Sequence, residues 1–270
     1  MERLDAALAA RGLARSRTHA ATLIANGLVT VDGQPVIKAS ARVADDAALA
    51  VAASDHYVSR AAHKLIAALD AFEIDVAGRV ALDLGASTGG FTQVLRERGA
   101  RPVIAVDVGH GQLAASVAAD PDVISVEGFN VRHMTAASLA EASGIDAAPM
   151  IVTGDLSFIS LTHVLPAVRA AAAPDADIAL LIKPQFEVGR TAVKGGLVTD
   201  PALRADAVAT VLWAAWDVGF GVLGVVSSPL PGTHGNREYL VHIAAGRGTN
   251  PTEWLSTVDR LAGEDGGRTA

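Results

Sequence analysis

Four charged residues fall where a sheet-based enzyme keeps its chemistry. Asp155 closes an apolar run at 150–154, Lys183 closes another at 178–182, and Glu238 sits in the approach to a third at 239–244. Lys64 lies near the start of a helical pattern that precedes the first apolar run, at 80–84. Two ammonium and two carboxylate groups that can reach one crevice are the kind of groups that move protons in an enzyme. Taken singly, each is an ordinary surface or loop residue. Their common level in the fold is what asks for a function.

A partner for that chemistry is written into residues 80–93, V-A-L-D-L-G-A-S-T-G-G-F-T-Q. A short apolar run with a single Asp suits a buried strand. Gly85-Ala86-Ser87-Thr88-Gly89-Gly90 then permits a tight turn and lets a ligand lie against bare backbone. From Phe91 the spacing is helical, with Phe91, Val94 and Leu95 on one face. The loop is not the G-x-G-x-x-G dinucleotide fingerprint, because Ala86-Ser87 replaces the second glycine, and a pyrophosphate has no seat. S-adenosylmethionine fits better, since its methionine part and ribose need a close backbone and no anion hole. Asp107, about 20 residues on at the end of the run 103–106, is placed to accept hydrogen bonds from ribose hydroxyls. Val108 next to it and Asn130, in the loop after the run 123–126, are the further cofactor candidates, Asn130 for the adenine edge. An ordinary strand-to-helix turn is the alternative for the glycine loop alone.

The elements that must position these groups alternate. Apolar runs at 80–84, 103–106, 123–126, 150–154, 178–182, 220–226 and 239–244 are separated by helical patterns, including one over 160–172 and one opened by Asp200-Pro201 as cap and first turn. This specifies an α/β layer sandwich, in which ligands bind outside the C-terminal strand ends. Pro184 pins the loop just past Lys183. A short helix is expected around Trp254, Leu255, Val258 and Leu261, and the glycine-rich end beyond it is expected to be disordered.

Ahead of this body the pattern changes. Leu4, Ala7 and Leu8 form a helical stripe ending before Gly12; Ser16 caps a second helix that buries Ala20, Leu23 and Ile24 and stops at Gly27. Asp32-Gly33 is a two-residue hairpin signal. Arg3 lies at the start, and Arg11, Arg15 and Arg17, with His19 one turn into the next helix, cluster around the turn between the helices, where guanidinium and backbone N–H groups attract phosphate. Residues 1–64 carry a net +2 and the remainder −9, so a basic module is attached to an acidic body.

Composition narrows the setting. There are no cysteines, which excludes disulfides and thiolate metal sites and fits a reducing cytosol; no metal site is expected. Residues 207–226 hold one charge, Asp217, and hydropathy alone would read them as a membrane span. An acid near the middle costs about 2.5–3.5 kcal/mol there, and Gly219, Gly221 and Gly224 follow. A buried helix ending near Asp217 and a strand over 220–226 is the lower-energy reading.

Two resemblances follow from these motifs. R-L-D-x-x-L…G-L-x-x-S-R…A-x-x-L-I…G-x-V-x-V-D-G-x-x-V, over residues 2–50, resembles the αL RNA-binding domain of a ribosomal small-subunit protein. Behind it Y-V-S-R-x-x-x-K-L, L-D-x-G-A-S-T-G-G-F-T, D-V-G-x-G-Q-L, D-L-S-F-I-S-L, K-P-Q-F-E-V-G and G-N-x-E-Y, in this order, look like the TlyA family of S-adenosylmethionine-dependent rRNA 2′-O-methyltransferases, some of which are also described as hemolysins. The resemblance implies a Rossmann-like class I methyltransferase fold with a mostly parallel seven-stranded sheet. It implies an RNA-binding domain over 1–54, a linker over 55–62, the methyltransferase domain over 63–247 and a tail over 248–270. It puts a catalytic tetrad on Lys64, Asp155, Lys183 and Glu238, with Asp155 also touching the cofactor, and the cofactor loop on 85–91. It adds Lys38 and Arg60 to the RNA-binding set. The implied partner is ribosomal RNA in a subunit, methylated on a cytidine of 16S or 23S rRNA by a cytoplasmic monomer with no stable membrane association. The chain departs from the family's usual run at Ala61-Ala62, at Gly128-Phe129-Asn130-Val131 and at His110. A membrane-active hemolysin, a noncatalytic ribosome-binding factor and a small-molecule methyltransferase are the rival readings.

Overall fold

A computed structural model describes residues 1–264 apart from 26, 52–55, 190–192, 194 and 233–234. The expected join between the basic module and its linker, and the glycine-rich end at 265–270, lie outside the described residues.

The N-terminal module holds β1 (Glu2–Arg3), α1 (Leu4–Ala10), α2 (Arg17–Ala25), β2 (Val29–Val31), β3 (Gln34–Pro35), β4 (Arg42–Val43) and β5 (Leu49–Val51). Ser16 Oγ accepts the His19 N–H at 3.1 Å, the cap expected from the sequence. Asp32 and Gly33 both take positive φ, 51° and 77°, and turn β2 back onto β3. This is the turn that Asp-Gly favours. The two helices bury Leu4, Leu8 and Ile24 against Val29 and Val43.

The body follows as α3 (Ala61–Ala71), β6 (Ala81–Leu84), α4 (Gly90–Glu97), β7 (Val103–Asp107), α5 (Ala115–Ala118), β8 (Val123–Glu127), α6 (Ala136–Ser143), β9 (Ile151–Gly154), α7 (Leu165–Ala171), β10 (Asp177–Ile182), α8 (Pro184–Glu187), α9 (Pro201–Asp217), β11 (Phe220–Ser227), β12 (Tyr239–Ala245) and α10 (Leu255–Gly263). Seven strands form one sheet in the order β11-β12-β10-β9-β6-β7-β8. All run parallel except β12, which is antiparallel to both its neighbours. Alternation along each strand serves two cores. Leu82, Leu84, Ile104, Val152 and Leu180 face a cluster with Leu165, Val208, Leu212 and Leu261 from α7, α9 and α10. Ala81, Val103, Ile151 and Leu181 face Leu65 and Leu69 of α3 and Phe91 and Leu95 of α4.

Two local expectations are refined. The pattern at 160–172 divides into a 3₁₀ turn, Leu161–His163, and α7, because Ser160 caps the first and Pro166 starts the second. Residues after Lys183 form a helical turn, with Pro184 in its first position, where its missing N–H costs no hydrogen bond. The apolar stretch 207–226 is α9, ending at Asp217, and β11; Asp200 accepts the Ala202 N–H at 2.9 Å. Among the described residues no helix is long and apolar enough to cross a membrane. At the far edge of the sheet, Asp177 accepts from Arg79 at 3.0 Å, from Arg247 at 2.8 Å and pairs with His242 at 2.9 Å. Burial pushes that carboxyl up, and the His242 and Arg247 contacts outweigh it, leaving it at about 2.

Candidate active site

Strand register brings the charged residues together. β6 pairs Leu84 with Gly154, so the glycine loop and Asp155 leave the sheet side by side. A Cβ on Gly85 would lie 3.6 Å from the Asp155 carbonyl oxygen and 2.9 Å from the Leu156 side chain. β10 pairs Ile182 with Tyr239, and one step further Lys183 and Glu238 are neighbours. Only an antiparallel β12 can do this, since it delivers its beginning to the edge where the parallel strands end. Lys64 arrives from the buried face of α3.

The four form an alternating chain of charge. Lys183 Nζ is 2.6 Å from Asp155 Oδ1, Asp155 Oδ2 is 4.0 Å from Lys64 Nζ, and Lys64 Nζ donates to Glu238 Oε2 at 2.5 Å. The side chains of Lys64 and Glu238 are 6% and 2% exposed; those of Lys183 and Asp155, at 11% and 17%, face the opening. The inner pair is therefore a fixed buried anchor and the outer pair can meet a substrate. Gly232 closes the inner end: a Cβ there would come within 1.8 Å of Glu238 Oε1, so only glycine lets the backbone cover that carboxylate.

The sequence blocks D-L-S-F-I-S and K-P-Q-F-E lock together around this chain. Lys183 also donates to Ser157 Oγ at 2.8 Å. Glu187 accepts from Ser160 Oγ at 2.5 Å and from the Leu161 N–H at 2.9 Å; burial pushes its carboxyl up and these bonds oppose the shift. Phe158, which sequence reading passed over, stands 91% exposed with φ 65°, its ring 5.2 Å from that of Phe186. A non-glycine residue held at positive φ with its ring in solvent is a recognisable functional signal only once the backbone is known.

The glycine loop has Gly85, Ser87 and Gly89 at positive φ. Gly90 is pressed by the segment that leads into α3 and by its first turn, where a Cβ would meet Ser59 Cβ at 2.9 Å and the Ala62 nitrogen at 3.3 Å. Buried Ala62, one of the family departures, is thus part of the loop's backing. Asp107 Oδ2 accepts the Ser87 N–H at 2.9 Å and Oδ1 accepts the Gly109 N–H at 2.8 Å. Each oxygen keeps a second lone pair for a ribose hydroxyl. Thr88 accepts the Ala114 N–H through its carbonyl, and Val108 beside the groove is 70% exposed. The bare loop, the acid and the exposed apolar side chain together fit S-adenosylmethionine. Asn130 is less available than expected: its side-chain oxygen caps the turn Val131–His133 by accepting the Arg132 N–H, leaving its amide group to meet an adenine edge. Two further departures touch each other, since the His110 ring lies over Gly128, where a Cβ would meet it at 2.9 Å.

The basic residues divide. Arg3 and Arg17 flank Asp5, donating to its carboxylate at 2.9–3.0 Å and 3.2 Å, and the Arg3 contact chiefly holds that buried acid far below the carboxylate range. Arg15 and Lys38 are exposed; His19 accepts the Arg15 N–H. Arg11 differs, its guanidinium taken up by the carbonyls of Ala44, Asp45 and Ala47, which makes it a brace of the module. Arg60 stands apart from this patch at the start of α3, beside Gly27 of the N-terminal module. Its Nη1 is buried without a hydrogen-bond partner. Burial lowers its pKa against the opposing charges of Glu238 and Asp155.

Asp83 is the one interruption of the β6 run and is 1% exposed. Burial pushes its carboxyl up to about 7, Thr92 and Thr153 oppose the shift and the Asp155 charge adds to it. The folded protein therefore holds this proton between pH 4 and 7 and the unfolded chain does not. Its contribution to stability is fully present below about pH 4 and lost as pH rises through 7. Relative to Asp83→Asn, the wild type is expected to lose roughly 3 kcal/mol between pH 5 and 8, read as diverging thermal midpoints. A difference that does not change with pH would show the carboxyl ionised throughout.

Comparison with known proteins agrees with this geometry. A family model described as FtsJ-like methyltransferase matches residues 57–245, and an S4 domain model matches residues 2–47. The chain is similar to the 16S/23S rRNA (cytidine-2′-O)-methyltransferase TlyA of Mycobacterium tuberculosis, 52% identical over 244 residues, 88% of each chain. It is 37% identical to Hemolysin A of Brachyspira hyodysenteriae over 89% of this chain and 98% of that one. A solved structure of a candidate hemolysin from Streptococcus thermophilus superposes with a TM-score of 0.75 at 34% identity, covering 97% of this chain and 94% of that one.

Proposed function

The chain belongs to the TlyA family of FtsJ-like, S-adenosylmethionine-dependent rRNA 2′-O-methyltransferases, and from that premise we propose that it methylates a cytidine ribose of 16S or 23S rRNA. The observation that carries this is the unbroken chain Lys183–Asp155–Lys64–Glu238 beside the glycine loop. S-adenosylmethionine, held by 85–91, Asp107 and Val108, supplies a methyl already activated on sulfur. What remains for the protein is to align a ribose 2′-oxygen and take its proton. Lys183 is the group for both tasks, because its nitrogen, 2.6 Å from Asp155 Oδ1 and donating to Ser157 Oγ at 2.8 Å, stands at the open end of the charge chain, and as the free amine it has a lone pair for the hydroxyl proton. Asp155 holds Lys183, and Glu238 holds Lys64, which fixes Asp155 from the other side. Residues 1–54 grip RNA through Arg3, Arg15, Arg17, His19 and Lys38. Arg60 meets a phosphate at the site, and Phe158 offers its face to a base. With aromatics so sparse elsewhere, folded RNA shape and backbone are read more than stacked bases. The methyltransferase domain spans 63–247, and the protein works as a cytoplasmic monomer without stable membrane association.

Labelled S-adenosylmethionine incubated with purified small subunits, large subunits and free rRNA, followed by nucleoside analysis, tests this reading. The expected product is 2′-O-methylcytidine, formed faster on a subunit than on free RNA. Removal of residues 1–54 should abolish that product while cofactor binding persists. Label on a base, or full activity after the deletion, would overturn the assignment.

A further inference from the structure

We propose that Asp83 is a positioning residue for methyl transfer: its buried carboxyl group joins the cofactor loop to the strand that carries Asp155, through Thr92 and Thr153. The inference rests on the function proposed above and names a residue outside the tetrad and the loop.

The geometry is specific. Thr92 Oγ1 donates to Asp83 Oδ2 at 2.7 Å and Thr153 Oγ1 donates to Asp83 Oδ1 at 3.3 Å. Both threonines are fully buried. Thr92 lies in the first turn of α4, two residues past Gly90, so its hydroxyl is attached to the end of the loop itself. Thr153 pairs directly with Asp83 across the β6–β9 ladder. It also precedes Asp155 by two residues, the strand repeat, so a shift at 153 is carried to 155 on the same face. One buried side chain thus fixes the seat of the methyl donor relative to the acid that holds Lys183.

Apart from the two threonine hydroxyls, nothing in the packing asks for a polar group here. The same face of the neighbouring strands carries buried Ala105 and Ile151 beside Thr153. A buried carboxyl group carries a desolvation penalty that an apolar residue avoids. Two hydroxyl donors converging on it from different elements provide the compensation and the coupling together. Asp155's charge reaches Asp83 as well, which places the two acids in one electrostatic neighbourhood.

The test uses the full chain and four variants: Thr92→Val, Thr153→Val, Asp83→Ala and Asp83→Asn. S-adenosylmethionine binding is measured by calorimetry, the chemical step by single-turnover methylation, and loop order by amide hydrogen exchange of residues 85–92 without cofactor. Losing one hydrogen bond is worth about tenfold. Thr92→Val should weaken binding by about that factor and speed exchange in the loop, with the single-turnover rate little changed. Thr153→Val should slow the chemical step by about tenfold with binding little changed. Asp83→Ala should do both, and Asp83→Asn should restore most of each, since an amide can accept from one threonine and donate to the other. If Asp83→Ala lowers the thermal midpoint but leaves binding, rate and loop exchange at wild-type values, Asp83 is only a structural residue and the proposal fails. Should that variant not fold, the opposite signatures of the two threonine variants decide, and identical effects from both would overturn the coupling. A wild type that binds cofactor but leaves rRNA unlabelled would instead sink the proposed function, while binding and exchange still judge the link.

Discussion

Lys183→Ala is expected to abolish methyl transfer while S-adenosylmethionine binding changes by less than a few-fold. The cofactor loop and Asp107 lie on β6 and β7, and Lys183 follows β10, so removing its side chain leaves the binding elements in place. What disappears is the one ammonium that contacts both Asp155 and Ser157 at the open end of the charge chain. Losing a positioned proton-handling group costs about 10²–10⁴-fold in rate, and losing alignment adds to it. Lys183→Arg separates the two tasks. Arginine keeps a cation and its donors but does not give up a proton in proteins, so a base at this position predicts a variant as inactive as the alanine. Activity restored by arginine would show that orientation alone matters, and equal loss of binding and rate in Lys183→Ala would mark a structural lysine.

Glu238→Gln is expected to lower stability by about 3 kcal/mol and to abolish activity with it. The substitution leaves the Lys64 ammonium buried with its nearest carboxylate, Asp155, 4.0 Å away. Breaking a buried ion pair from one side is far worse than removing both partners. For a domain of this size the loss corresponds to a fall in thermal midpoint of roughly 6–12 °C. Lys64→Met combined with Glu238→Gln should recover most of that midpoint, because no buried charge is stranded, yet remain inactive because Asp155 has lost its inner support. The double-mutant cycle reads the coupling directly. A double variant no more stable than Glu238→Gln would show that Glu238 acts through something other than Lys64.

Most of the architecture was legible because parallel strands buried on two faces read as plain apolar runs. Every such run from 80 to 244 became a strand of the sheet. The helix caps at Ser16 and Asp200 and the Asp-Gly turn were equally readable, since each is a local hydrogen-bonding device. Asp155, Lys183 and Glu238 were legible as charges at strand ends or their entry loops, and Lys64 as a residue one helix ahead of the first strand, but how the four connect was not. Nothing local says that β12 runs against its neighbours, and that reversal is what sets Glu238 beside Lys64. Asp83 was visible as an odd letter in an apolar run, yet its meaning lay in Thr92 and Thr153, nine and seventy positions away. Arg11 shows the opposite limit. Its charge counted toward the basic patch, while the carbonyls that engage it come from residues 44–47, far along the chain.

The reversed β12 also makes the site depend on the end of the sheet's sequence. It is the last strand along the chain yet lies between β10 and β11, so the carboxylate that neutralises the buried Lys64 ammonium comes from a segment 174 residues away, and the charge chain is complete only in the fully assembled sheet.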